Sequence, residues 1–143
     1  MKLHISVAQP PLAGYINVDV SKQSIDLANL ESLCGPSVCT HIIVNDVIKF
    51  MPYDKIISAL QHITSRLRHK GQITVIFTDI NSIIRSYNRN ELNEKQFNEL
   101  MFNQGAHSSF SYMYLQKIFI ALKMNIISID ISKEQVVLVA ERP

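Results

Sequence analysis

The first residues with the types and spacing to do chemistry lie in the opening stretch KLHISVAQPPLAGYINVDV, residues 2–20. It reads as a short strand, a tight break and a second short strand ending in an acid, Asp19. Nucleotide-binding α/β domains begin in this way, with glycines in the break so that backbone can approach the ligand. An acid ending the second strand can accept ribose hydroxyls. Here the break is Ser6-Val7-Ala8-Gln9-Pro10-Pro11, and the first glycine, Gly14, comes only after it. A second group of donors is Cys34, Cys39 and His41. A zinc site needs a fourth ligand and usually closely spaced cysteine pairs, so no metal is expected, and nothing demands a disulfide.

The elements that must position these residues follow from apolar patterning. Leu3–Val7, His41–Asn45 and Ile73–Thr78 are apolar almost without alternation, as in strands of a parallel sheet buried on both faces. Between the last two, Ile56, Leu60, Ile63 and Leu67 fall on one helical face. Arg66, Arg68, His69 and Lys70 suit the last turn of that helix, and Gly71 the residue beyond it. Strand, helix and strand in this order predict a right-handed βαβ unit. A helix is predicted around Ile83, Ile84 and Tyr87, and another after Asn93, where Asn93 with Gln96 resembles a capping box. Its apolar stripe is Phe97, Leu100 and Met101. A polar break, Asn103 to Ser109, contains Gln104 and His107 and precedes a helix from about Ser111 to Met124 with core face Leu115, Ile118, Phe119 and Leu122. Tyr112 and Tyr114, at its start, read as packing residues. The closing runs Ile126–Ile131 and Gln135–Ala140 are joined by only three residues and so predict an antiparallel hairpin.

With 143 residues and no linker or repeat, residues 1–143 make one domain. Hydrophobic residues are 47% and charged residues 18%, which is globular composition. The net charge of +2 is spread along the chain and gives no polyanion-binding signal, and no aromatic platform for RNA is evident. No apolar run is long enough to span a bilayer and no signal-peptide region is present, so a cytoplasmic protein without membrane or nucleic-acid partners is expected.

Several strings, in this order and spacing, resemble the class I S-adenosylmethionine-dependent methyltransferases, in particular the small type often found with polysaccharide-biosynthesis genes. GYINVDV (14–20) is similar to the family's second strand and IDLANLESL (25–33) to its short acidic segment. VNDVIKFMPYDKIISALQHITSRLRHKGQITV (44–75) resembles its fourth strand, following helix and fifth strand. FTDINSIIRSY (77–87) and FNQGAHSSFSYMYLQKIFIALKM (102–124) are similar to the regions that follow. The resemblance implies a Rossmann-like α/β fold, a mostly parallel seven-stranded sheet ending in an antiparallel hairpin, with a very short third strand near Ser24–Leu27.

It further implies that Asp19 holds the ribose of S-adenosylmethionine, that Asp26 and Leu27 contact adenine, and that Asn45 and Asp46 border the ligand at the end of the fourth strand. Ser6, Ala8 and Gln9 stand in the place of the family's Gly-x-Gly loop, and Asp46 and His107 are the candidate acid and base beside the acceptor. Where the family often has Leu-Glu-His after its fourth strand, this chain has Ile48-Lys49-Phe50, and only Gln9 to Gly14 join the first two strands, too few for a crossover helix. Two functions are therefore expected. One is methyl transfer from S-adenosylmethionine to a small-molecule or sugar-related acceptor. The other is a methyltransferase-like domain without activity that serves as an interaction or assembly partner. In so short a version of the fold, an exposed apolar edge leaves room for a homodimer or protein partner.

Overall fold

The computed structural model describes residues 1–21, 29–102 and 106–143. In chain order the elements are β1 (Lys2–Ser6), β2 (Ile16–Asp19), α1 (Asn29–Leu33), β3 (Cys39–Asn45), α2 (Ile56–Ser65), β4 (Leu67–Thr78), α3 (Ile80–Asn88), α4 (Glu94–Met101), α5 (Tyr112–Ala121), β5 (Asn125–Ser132) and β6 (Gln135–Glu141). They form one sheet in the order β2-β1-β3-β4-β6-β5. The first four of these strands are parallel neighbours, while β6 is antiparallel to both β4 and β5. Among the described residues the sheet has six strands and not seven, a correction to the expected architecture. The short third strand expected near Ser24–Leu27 falls outside the described residues.

A single core lies on one face of this sheet. Leu3, Ile5, Ile42, Val44, Ile73, Val75 and Leu138 point into it, each fully buried. Against them α2 brings Ile56, Leu60 and Ile63, and α5 brings Leu115, Ile118 and Phe119, as their spacing predicts. Burying each such side chain stabilises the fold by about 1.5–3 kcal/mol. The opposite face carries Ile43, Thr74, Ile76, Val137 and Val139, all half-buried and none of them part of the core. The unbroken apolar runs of β3 and β4 predict cover on both faces, so this one-sided arrangement corrects that expectation.

Helix α2 also ends earlier than its pattern predicts. Leu67 is fully buried, as the 3.6-residue period requires, but it is the first residue of β4 and the Cα partner of Cys39. Arg68, His69 and Lys70 are exposed strand residues, not the last turn of a helix. Arg66 is not a solvated helix-end charge either. It is 7% exposed, with its guanidinium on the Cys34 carbonyl at 3.4 Å and on Glu31 at 3.2 Å. Gly71 lies inside β4, where the register with β3 shifts between Cys39 and His41. A β-carbon there would sit 2.8 Å from the Cys39 carbonyl oxygen and 2.9 Å from that of Arg68. Close backbone approach, not helix termination, is the reason for this glycine.

Past β4 the starts of the helices are fixed by side-chain caps. Asp79 caps α3 and Ser111 caps α5, while Asn93 and Gln96 form the expected reciprocal capping box on α4. Asp79 does more than cap. One oxygen accepts from the Ser82 amide and hydroxyl at 2.9 and 2.8 Å, and the other from the Tyr112 amide at 2.8 Å. This buried carboxylate thus ties the N-terminus of α3 to that of α5. Among the described residues, no helix is long and apolar enough to cross a membrane.

Candidate functional site

Three neighbouring strands end side by side at the carboxyl edge of the sheet. Asp19 ends β2, Ser6 ends β1 and Asn45 ends β3, and Ser6 is the Cα partner of both others. In an open α/β sheet this edge, where strand order reverses around β1, is where ligands bind. The sequence-predicted residues Ser6, Ala8, Asp19, Asn45 and Asp46 are therefore brought together. Gln9 follows in an exposed loop beside them, while Asp26 and Leu27 lie outside the described residues.

The loop after β1 keeps a glycine-like backbone without glycine. Ala8 has φ +50°, in the left-handed region. Its amide donates to Asp19 Oδ1 at 3.3 Å, an oxygen that also accepts from the Ser21 amide at 3.0 Å and its hydroxyl at 2.5 Å. The turn is further pinned by the Val20 amide donating to the Ser6 carbonyl at 2.9 Å. Asp19 is thus a fixed acceptor between two loops. From Gln9 to Gly14 the chain is exposed and non-helical, so no helix N-terminus follows the loop.

Asp46 is left-handed as well, with φ +55°, and its amide donates to the Ile76 carbonyl at 2.8 Å. Its carboxylate meets the Lys49 ammonium at 2.6 Å, with Lys49 side chain 16% and Asp46 side chain 35% exposed. Lys49 links the two candidate catalytic residues. Its side chain neutralises Asp46, and its carbonyl accepts from the amides of His107 and Ser108 at 2.7 and 3.1 Å. Sequence reasoning noted Lys49 as a departure from the family pattern but missed this bridging role.

His107 itself is exposed and borders a cavity of about 420 Å³ with Phe50, Met51, Lys55, Ser58 and His62. That volume suits a small molecule, and the lining mixes apolar walls with a few convergent polar groups. Lys55, Ser58 and His62 escaped sequence reasoning, although their three- and four-residue spacing, from the residue capping α2 into the helix, is the signal that gathers them. Gln104 lies outside the described residues.

Two further groups are perturbed. Burial, then the bond to Cys34, pushes the Cys39 thiol up to about 12, and the two sulfurs stand 3.6 Å apart as free thiols. Burial, then the charge of Lys2, lowers His41 below its ordinary value. Neither lies at the carboxyl edge.

No family profile and no curated protein matches the sequence. Solved structures do resemble it. A SAM-dependent methyltransferase from Archaeoglobus fulgidus is similar over 90% of this chain and 68% of its own, at 8% identity and TM-score 0.60. An O-methyltransferase family protein from Burkholderia thailandensis covers 90% of this chain with 36% of its own, at 10% identity and TM-score 0.63. The fold is that of the class I methyltransferases. A third structure, the 1,6-didemethyltoxoflavin-N1-methyltransferase of Burkholderia thailandensis, holds 1,6-didemethyltoxoflavin and S-adenosylhomocysteine. It is 12% identical, with 88% of this chain and 60% of that one covered, at TM-score 0.56. The chain thus spans about a third of the second and three-fifths of the third methyltransferase. Between β1 and β2 this chain has no crossover helix.

Proposed function

We propose that the chain binds S-adenosylmethionine at the carboxyl edge of β1, β2 and β3 and transfers its methyl group to a small acceptor in the α2 cavity. The observation carrying this reading is the row Asp19, Ser6 and Asn45, closed by the left-handed turn at Ala8. That backbone is what a glycine loop exists to make, and here alanine makes it, with only one methyl group added to the cradle. These residues fit the nucleoside end of the cofactor. Asp19 is the ribose acceptor, Ser6, Ala8 and Gln9 form the loop beside it, Asn45 borders the reacting end, and Asp26 with Leu27 takes adenine.

Bound S-adenosylmethionine supplies an electrophilic methyl group on a sulfonium. The chain's own contribution is chiefly position, because displacement needs the acceptor held in line. Phe50 and Met51 give the acceptor pocket its apolar walls, and Lys55, Ser58 and His62 offer polar contacts to a hydroxylated, sugar-like molecule. His107, on the rim, is the group placed to take a proton from the acceptor. Asp46, neutralised by Lys49, shapes the loop between the two sites.

A second reading, an interaction domain without catalysis, is favoured by one observation. The non-helical segment Gln9–Gly14 provides no helix N-terminus for the methionine carboxylate. Amide chemical shifts during titration with S-adenosylhomocysteine separate the two. The enzyme reading predicts saturable shifts at Ser6, Ala8, Ser21 and Asp46, whereas no shifts at millimolar ligand favour the interaction domain.

A further inference from the structure

Helix α3 buries Ser82, Ile83 and Ser86 and leaves its other side open. On that side Asn81, Ile84, Arg85 and Asn88 recur at three- and four-residue spacing, and Arg89 follows at the C-cap. With Tyr112 and Met113, the first two residues of α5, they border a cavity of about 440 Å³. Asp79 fixes the two walls of this cavity. Its carboxylate accepts from the Ser82 amide in the first turn of α3 and from the Tyr112 amide at the start of α5.

The polar groups around it are all of one kind. Among the described residues no acid borders the cavity, and Glu94, near in sequence, accepts from the Tyr87 hydroxyl instead. The guanidinium groups of Arg85 and Arg89, the side-chain amides of Asn81 and Asn88 and the Tyr112 hydroxyl make no hydrogen bond or ion pair among the described residues. A cation in the last turn offsets the helix dipole, which accounts for one arginine there. It does not account for a second, four residues on, around the same cavity. Like charges at that spacing repel, and an anion between them removes the repulsion.

We propose that this cavity binds a small phosphate monoester. The two negative charges of the ester match the two guanidinium groups, whose planar forks present paired N–H donors to phosphate oxygens. Asn81 and Asn88 add neutral donors, and Ile84, Met113 and the Tyr112 ring give the organic part an apolar wall. The volume is that of a small-molecule site and sets the size of the occupant. One dianion needs only this local pair of charges, whereas a net charge of +2 spread along the chain offers no track for a polyanion. None of these residues belongs to the row Asp19, Ser6 and Asn45 or to the α2 cavity, so the site goes beyond the proposed methyl transfer and does not rest on it.

Arginine Nε–Hε resonances of the full chain, without cofactor, test this during titration with adenosine monophosphate and with glycerol phosphate. The pH is held above the second phosphate ionisation, near roughly 6, so that the ester is a dianion. Saturable shifts at Arg85 and Arg89, and none at the exposed Arg68, are expected with at least one ester. Adenosine and glycerol, which lack the phosphate, should give none. Arg85→Gln and Arg89→Gln, both at exposed positions, should each weaken binding by about tenfold or more, the loss of a charged hydrogen bond, with unchanged circular dichroism. The proposal is overturned by no saturation at millimolar ester, by equal shifts at Arg68 or by equal binding in the variants. Binding of a phosphoserine peptide with neither ester bound overturns it too, in favour of a protein partner.

Discussion

The Ala8 amide donates to Asp19 Oδ1 across the gap between β1 and β2, at 3.3 Å. One bond thus joins the loop that replaces the glycine motif to the acid expected to hold a ribose. The bond orients Asp19 before any ligand arrives. It also keeps Ala8 in backbone that a β-carbon disfavours, at φ +50°.

Ala8→Gly is therefore predicted to stabilise the protein. Relief of left-handed strain is worth roughly 1–2 kcal/mol, offset by about 0.4–1 kcal/mol for the freer unfolded chain. A net gain of about 0.5–1 kcal/mol is expected from urea unfolding, together with tighter S-adenosylhomocysteine binding. A loss of stability would mean that the loop is not held in this conformation.

Asp79 is 1% exposed and accepts three hydrogen bonds at the starts of α3 and α5. Asp79→Ala is predicted to cost about 2–4 kcal/mol, combining a lost cap with buried donors left unpaired. Hydrogen exchange should show both helix N-termini opening together. A loss confined to α3 would contradict the shared anchor.

Gly71→Ala tests the bulge in β4. The added carbon meets only backbone, at 2.8 Å from the Cys39 oxygen and 2.9 and 3.2 Å from the Arg68 oxygen and nitrogen. Because no flexible side chain can give way, a loss of about 1–3 kcal/mol is expected on chemical denaturation. A neutral effect would fit a helix cap elsewhere, not this close approach.

His41 gives a pH dependence with a definite sign. Burial, then Lys2, lowers it from the ordinary 6.5. As pH falls through 6.5 the unfolded chain takes up this proton before the native one does. Stability contributed by neutral His41 is thus full above 6.5 and declines below it, until the lowered native value is reached. Imidazole titration by NMR should give a midpoint below 6.5, and Lys2→Gln should raise it. A midpoint above 6.5 would contradict the buried, Lys2-facing environment.

Much of the fold could be read from local chemistry. The Asn93–Gln96 box, the α5 core face and the closing hairpin all rest on interactions within a few residues, and each appears as expected. Two features depend on distant partners and were not legible. Leu67 is buried whether it ends a helix or begins a strand, so the 3.6-residue pattern could not tell that pairing with Cys39 wins. Ile43, likewise, makes β3 read as doubly buried, yet it lies on the open face. At the site, Ser6, Asp19 and Asn45 were expected at strand ends, and parallel pairing of β1 with β2 and β3 sets those ends side by side. The Lys49–Asp46 pair and the α2 cavity depend on side-chain direction, which strand order alone does not fix.

Calorimetric titration with S-adenosylhomocysteine, on the wild type and on Asp19→Ala, tests the cofactor site most directly. Saturable binding in the wild type is predicted, weakened at least about tenfold, or 1.4 kcal/mol, in Asp19→Ala. At one hundred times the dissociation constant the same ligand should stabilise the wild type by about 2.7 kcal/mol. A flat trace at millimolar ligand, or equal binding by the two proteins, would contradict a cofactor site built on Asp19.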